Sequence, residues 1–162
     1  MYEFRSVIKK DYQGICNLLK DKKEFFLVHP HGKYPLSIDQ VEELSQVRQD
    51  LTVAIENKNI VAFANFYNYE PGKYIFIGNL IVDRSCRGKG LGKAIVSHMV
   101  KIAFGKYQLP EVRLSVVNEN TPALLLYSSL GFLPYQIDEK RNLQDKRVAL
   151  IHMKKPNSYE KT

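Results

Sequence analysis

The sequence predicts one mixed α/β domain of the α+β kind, with elements in the order β-α-α-β-β-β-α-β-α-β-β. Three observations predict it. Short runs rich in β-branched and aromatic residues alternate with stretches whose apolar residues recur every three or four positions. Pro, Gly and Asn mark the junctions between them. No repeat, linker or low-complexity segment divides the 162 residues, a length that suits a single core. The expected domain is 1–155, followed by a polar tail, 156–162, that should fray.

Tyr2 to Ile8 reads as an opening strand with Phe4, Ser6 and Ile8 on one face. Asp11 is placed to cap a helix running to Lys20, with Ile15, Leu18 and Leu19 as its apolar stripe. Phe25 to Leu36 contains His29-Pro30-His31-Gly32 and Pro35, so it reads as an irregular loop. Ser37 then caps a second helix to about Gln49, with Gln40 as its capping-box partner and Val41, Leu44 and Val47 inward. Leu51–Glu56 and Ile60–Asn68 form a hairpin around Asn57-Lys58-Asn59, and Pro71-Gly72 turns the chain into Tyr74–Val82. Leu91 to Phe104 is helical, with Leu91, Ile95, Met99 and Ile102 on one face. Glu111–Val117 is a strand. Thr121-Pro122 has the form of an N-cap followed by proline, and Gly131 that of a helix stop. Phe132–Ile137 and Arg147–Met153 pair as a last antiparallel couple.

Composition narrows the function. Lys and Arg number 24 against 17 Asp and Glu, a net charge of +7 that favours anionic partners. There is no arginine-rich stretch, and aromatic residues are not interleaved with basic clusters, so nucleic acid is not the expected partner. The charged start, Met1-Tyr2-Glu3-Phe4-Arg5, has no apolar core for secretion, and no apolar run has membrane-spanning length. Cys16 and Cys86 suggest neither a disulfide framework nor a zinc site, and His29 with His31 lacks a nearby third ligand. The expectation is a cytoplasmic protein that needs no metal and touches no membrane.

Chemistry concentrates where Leu80-Ile81-Val82 runs into Asp83-Arg84-Ser85-Cys86-Arg87-Gly88-Lys89-Gly90-Leu91-Gly92-Lys93. A strand, a glycine loop and a helix start gather amide N–H groups, a positive helix end and cations around one volume. Two nucleotide loops fail on spacing. Five positions after Gly88 stands Lys93, where a Walker loop needs glycine. The third glycine, Gly92, comes one residue too early for the dinucleotide fingerprint. A pyrophosphate remains the fitting guest.

Leu80 to Gly92 resembles the signature of the GNAT superfamily of acetyl-CoA-dependent N-acetyltransferases, an apolar strand followed by Arg/Gln-x-x-Gly-x-Gly/Ala. The second signature, Asn-x-x-Ala-x-x-Leu-Tyr-x-x-x-Gly-Phe, is matched by Asn120 through Phe132. The resemblance implies a mostly antiparallel sheet with two splayed parallel strands, Tyr74–Val82 and Glu111–Val117, and helices on both faces. By similarity, Arg87, Gly88, Lys89, Gly90, Leu91, Gly92 and Lys93 would hold the pyrophosphate of acetyl-CoA, with Leu80, Ile81 and Val82 pairing with its pantetheine arm. Asn120 would meet a pantetheine amide and Tyr127 the sulfur, as general acid.

The implied reaction is direct acetyl transfer to a primary amine of a small molecule or a protein. An amine of pKa about 10.4 costs about 4–5 kcal/mol to deprotonate at pH 7, so some base or desolvating site must help. Ser115 stands where some relatives carry a glutamate. Glu70, Asp83, Glu111, Tyr67 or a water are the alternatives, and His29-Pro30-His31 borders the acceptor side in the resemblance. Rival readings are an acetyl-CoA sensor that transfers nothing and a nucleic-acid-binding domain. A monomer or a homodimer is expected.

Overall fold

The chain keeps the strand order that the sequence implies and adds one helix before the second strand. It runs β1 (Glu3–Ser6), α1 (Tyr12–Cys16), α2 (Lys22–Val28), α3 (Ile38–Val47), β2 (Gln49–Glu56), β3 (Asn59–Glu70), β4 (Tyr74–Val82), α4 (Leu91–Gly105), β5 (Glu111–Val117), α5 (Thr121–Ser129), β6 (Leu133–Arg141) and β7 (Arg147–Pro156). The computed structural model describes residues 1–158. Its strands form one sheet, β1-β2-β3-β4-β5-β7-β6, in which β4 and β5 are parallel and the other neighbours antiparallel.

Alternation along the central strands sends side chains to two cores. Ala62, Ala64 and Phe66 of β3 pack with Ile95 and Met99 of α4, and Tyr127 of α5 joins that layer. Phe63 of the same strand points the other way, with Ile81, into Ile15, Phe25, Val41 and Leu44 of α1 to α3. Helices therefore cover both faces. Gly14 lets α1 lie close to β3, because a Cβ there would meet Ile60 Cδ1 at 2.8 Å.

The first third departs most from expectation. The helix expected from Asp11 to Lys20 stops at Cys16, after a 3-10 turn at Lys9–Asp11, although Ile15, Leu18 and Leu19 are buried as expected. The expected loop from Phe25 begins inside α2, which Asp21 caps: its side chain accepts from Glu24 N at 2.8 Å. Ser37 does cap α3, but Gln40 turns its amide to Lys33 O and Pro35 O and pins the preceding loop. Ile8 and Val47 lie outside the core, 52% and 68% exposed. At α5 the cap is Asn120, with Thr121 already helical. The start of the tail is also tied down, since Pro156 ends β7 and Asn157 N donates to Pro110 O. The remainder of that tail, 159–162, lies outside the described residues.

Asp11 does not cap α1 with its side chain. Instead it is 4% exposed and accepts from both Arg5 guanidinium nitrogens, at 2.7 and 2.9 Å, and from Ile8 N at 2.8 Å. The Arg5 bond, working against burial, holds this carboxyl below the usual carboxylate range. Asp11→Asn should lower stability at neutral pH by about 1–3 kcal/mol. The depressed value means that the stabilisation is fully present above about pH 4, where the unfolded carboxyl ionises. It disappears as pH falls through the folded-state value. Urea unfolding of both proteins checks this; a gap that persists unchanged in strong acid would refute it.

Candidate functional site

The sheet opens between its two parallel strands. β4 and β5 pair only from Tyr74↔Glu111 to Ile77↔Leu114. At that point β4 carries a bulge against β3, between Asn65↔Gly78 and Phe63↔Ile81, and Asn79 takes a left-handed φ of 47°. A bulge bends and twists its strand, so Leu80 to Val82 swing away from Ser115 to Val117 and leave a V-shaped cleft. Two cavities occupy it, of about 380 and 350 Å³. Leu80, Asn120 and Tyr127 line both.

The larger cavity gathers most of the donor-side residues that the sequence singled out. Leu80, Ile81, Val82, Arg87, Gly88, Gly90, Gly92 and Lys93 line it together with Asn120 and Tyr127. Gly88 and Gly90 take φ values of 75° and 85°, and a Cβ on either would meet nothing within 4 Å, so the loop backbone faces open space. Gly90 is the N-cap of α4 and brings no side chain to it. The first-turn N–H groups of α4 are therefore left for an external acceptor. An oxygen-rich anion fits this cradle. Two side chains act otherwise than expected. The Arg87 guanidinium lies 3.0 Å from Glu24 of α2 and 3.3 Å from Val82 O, which ties the loop to the helix above it. Leu91 and Ile81 are buried, so only their backbone can face a ligand. Lys89 is exposed beside the cavity and does not line it. Cys86 is buried in the core behind the loop and serves as a spacer.

Tyr127 stands where the two cavities meet. It is 7% exposed, and its ring packs on Phe132 with centroids 6.0 Å apart. Burial, with a smaller push from Tyr67, raises its pKa well above that of an ordinary phenol. It stays a protonated acid throughout the working pH range. Asn120 uses its carboxamide oxygen on Ala123 N at 3.4 Å and keeps its amide hydrogens for the cleft.

Of the four side-chain bases considered, Tyr67 alone lines either of these two cavities. Glu111 lies at the closed end of the V and binds Arg113 at 2.6 Å. Asp83 caps the turn that follows β4, taking Ser85 N at 2.9 Å. Glu70 sits exposed at the end of β3, where it pairs with Tyr74 across the turn into β4. The smaller cavity is instead bordered by Arg48, His29, His31, Ser115, Lys140 and His152. His29 is held neutral by burial and by Arg48.

Sequence reasoning missed a hydrogen-bonded chain here. Ser115 Oγ lies 2.6 Å from His152 Nδ1, and His152 Nε2 lies 2.7 Å from Asp138 Oδ2. Tyr67 lies next to Ser115 on the wall of the same cavity, and burial raises its phenol pKa. A register pair creates it: Ser115 of β5 faces His152 of β7, and Asp138 lies diagonally across on β6. Among the described residues, no cluster of three His, Cys, Asp or Glu could hold a metal ion, and no helix is long and apolar enough to cross a membrane.

The family model for the acetyltransferase (GNAT) family matches residues 12–132. A sequence comparison with curated proteins finds no match. Among solved structures, the chain is similar to the ribosomal-protein-S18-alanine N-acetyltransferase of Escherichia coli, with TM-score 0.75, 23% identity and coverage of 100% of this chain and 99% of that one. An N-acetyltransferase of Staphylococcus aureus Mu50 superposes with TM-score 0.76 at 19% identity, covering 96% and 98%. A Salmonella typhimurium protein, solved with its cofactor acetyl-CoA, gives TM-score 0.74 at 16% identity, covering 96% and 94%.

Proposed function

From membership in the GNAT acetyltransferase family, which makes this chain an acyltransferase, we propose that it moves the acetyl group of acetyl-CoA directly to a primary amine. The observation that carries this reading is the pair of cavities joined at Tyr127. One is built for a phosphorylated donor, the other opens toward an acceptor, and a protonated phenol stands between them.

Acetyl-CoA supplies an activated acyl group and a thiolate leaving group. The protein supplies the rest. The backbone from Gly88 to Lys93 binds the pyrophosphate, with Lys93 adding charge and Lys89 a longer-range field. The free edge of Leu80–Val82 offers strand-like hydrogen bonds to the pantetheine amides, and one of its N–H groups can polarise the thioester carbonyl. Asn120 donates to a further amide. Tyr127 delivers its hydroxyl proton to the departing sulfur. The amine attacks from the smaller cavity, without a covalent enzyme intermediate.

Thiol release from acetyl-CoA, measured across a panel of small amines, amino acids and peptides, tests the reading. Turnover with at least one acceptor class is expected. If coenzyme A binds and no amine yields product, the chain is a sensor and the transfer reading is lost.

A further inference from the structure

The geometry points to an acceptor that carries an anionic group, a carboxylate or a phosphonate, beside its amine. This rests on the transfer reading above and adds its substrate class. Among the described residues, the acceptor cavity has Arg48, Lys140, His29, His31 and His152 on its wall and no aspartate or glutamate. Arg5, Arg84, Arg87, Arg113 and Arg147 each pair with a carboxylate. Neither the exposed Arg141 nor the half-buried Arg48 pairs with one among the described residues.

The fold nevertheless holds that guanidinium in place. It lies 4.3 Å over the Tyr67 ring, and Nη1 is 3.4 Å from Asn65 Oδ1. Asn65 in turn donates to Asn79 Oδ1 at 2.9 Å, and Asn79 donates to Val28 O at 2.7 Å, so the β4 bulge and the end of α2 brace it. Gly78 leaves room: a Cβ there would meet Arg48 Nη1 and Tyr67 Cδ1, each at 2.6 Å. A braced, partly desolvated charge without a counter-charge is costly unless a ligand supplies one. A planar guanidinium matches a carboxylate through two parallel hydrogen bonds. The charges of Arg48 and Lys140 repel a polyamine and favour the neutral, nucleophilic form of an amine placed beside them.

The test compares amino acids, their decarboxylated amines, an aminoalkylphosphonate and spermidine, with wild type and Arg48→Gln. The anionic acceptors should exceed the decarboxylated amines in kcat/KM by about 100-fold, and the phosphonate arm decides which anion is preferred. Arg48→Gln should erase most of that ratio through KM, while KM for acetyl-CoA stays unchanged and reports an intact fold. Preference for spermidine or for decarboxylated amines, or a ratio that survives the substitution, overturns the proposal. If wild type acetylates no amine of any charge, the transfer reading falls. Calorimetry of N-acetyl amino acids on the coenzyme A-bound protein then decides this one: binding to wild type and none to Arg48→Gln supports it, and equal binding or no binding to wild type overturns it.

The hydrogen-bonded chain carries a second inference independently. We infer that Ser115 accepts the acceptor's proton and passes its own to His152, which Asp138 holds. His152 is faced by Ser115 from β5 and by Gln136, Asp138 and the Tyr135 ring from β6, with Tyr67 beyond Ser115. A carboxylate can only accept, so Nε2–H donates to Asp138 and Nδ1 accepts from the Ser115 hydroxyl. As the amine gives its proton to Ser115 Oγ, the hydroxyl proton moves to Nδ1. The imidazolium formed is neutralised by Asp138, which is half-exposed and opens the path to water. Ser115 touches the amine; His152 and Asp138 position and charge it.

His152→Gln should lower kcat/KM for the amine by about 100-fold at neutral pH. The deficit should close as pH rises and the amine deprotonates unaided, with affinity for coenzyme A unchanged. A loss equal at every pH, or no loss, overturns the relay. Nitrogen-15 imidazole spectra of the wild-type protein give a readout apart from activity. They should show the neutral imidazole as its Nε2–H tautomer, and the Nδ1–H tautomer would overturn the relay as well.

Discussion

Gly90→Asp is expected to abolish coenzyme A binding while the chain remains folded. Gly90 takes φ 85° at the N-cap of α4, with open space where a side chain would project. Left-handed backbone costs an ordinary residue about 1–2 kcal/mol, and Asn and Asp tolerate it best. Aspartate is also a preferred N-cap and would satisfy first-turn N–H groups that glycine leaves bare. The folded state therefore loses little. The ligand loses the cradle twice over, because the new carboxylate occupies those N–H groups and places a negative charge among the phosphates. Two like charges about 4 Å apart repel by about 4 kcal/mol at an effective dielectric of about 20, which is about a thousandfold in affinity. Gly90→Asn keeps the shape and removes the charge, so it separates the two effects: its affinity should fall far less. Calorimetric titration with coenzyme A gives both numbers, and Gly90→Asp binding within tenfold of wild type would sink the phosphate-loop assignment.

What the sequence made legible was local. The glycine loop, the Asn120–Phe132 segment and the strand runs each carry their information within about a dozen consecutive residues, and each lies where its pattern places it. α2 was legible too, in Asp21-Lys22-Lys23-Glu24, an acidic cap followed three residues later by glutamate. The Pro and Gly of the following loop dominated that stretch, and seven residues are too few for helical periodicity to show. Val47 keeps helical spacing with Val41 and Leu44 yet ends exposed, because α3 stops there and the chain turns into β2. The acceptor half could not be read locally at all. Ser115 and His152 are 37 residues apart, and only the β5–β7 register brings them face to face. Arg48 likewise meets Tyr67 and Gly78 across three elements. The donor signature is a stretch of chain; the acceptor site is a property of strand pairing.

Tyr127→Phe should lower kcat by about 100- to 1,000-fold and change coenzyme A affinity by less than about threefold. The substitution isolates the phenolic proton. Among the described residues, the Tyr127 hydroxyl makes no hydrogen bond with the protein, so its removal leaves no partner unsatisfied. The ring keeps its contact with Phe132 and its place in the core. Burial makes this phenol a weaker acid than a tyrosine in water. The same low-dielectric cleft also makes a departing thiolate more basic than its model value of about 8.5, so the proton still has reason to move. Because the pKa is raised, the hydroxyl remains protonated as pH increases, and kcat should show no alkaline limb that Tyr127→Phe removes. The substitution should instead scale the whole pH profile down, and an acceptor-independent loss should appear with every amine. A fall in kcat matched by an equal fall in coenzyme A affinity would make Tyr127 a packing residue and leave the leaving group to be protonated by water.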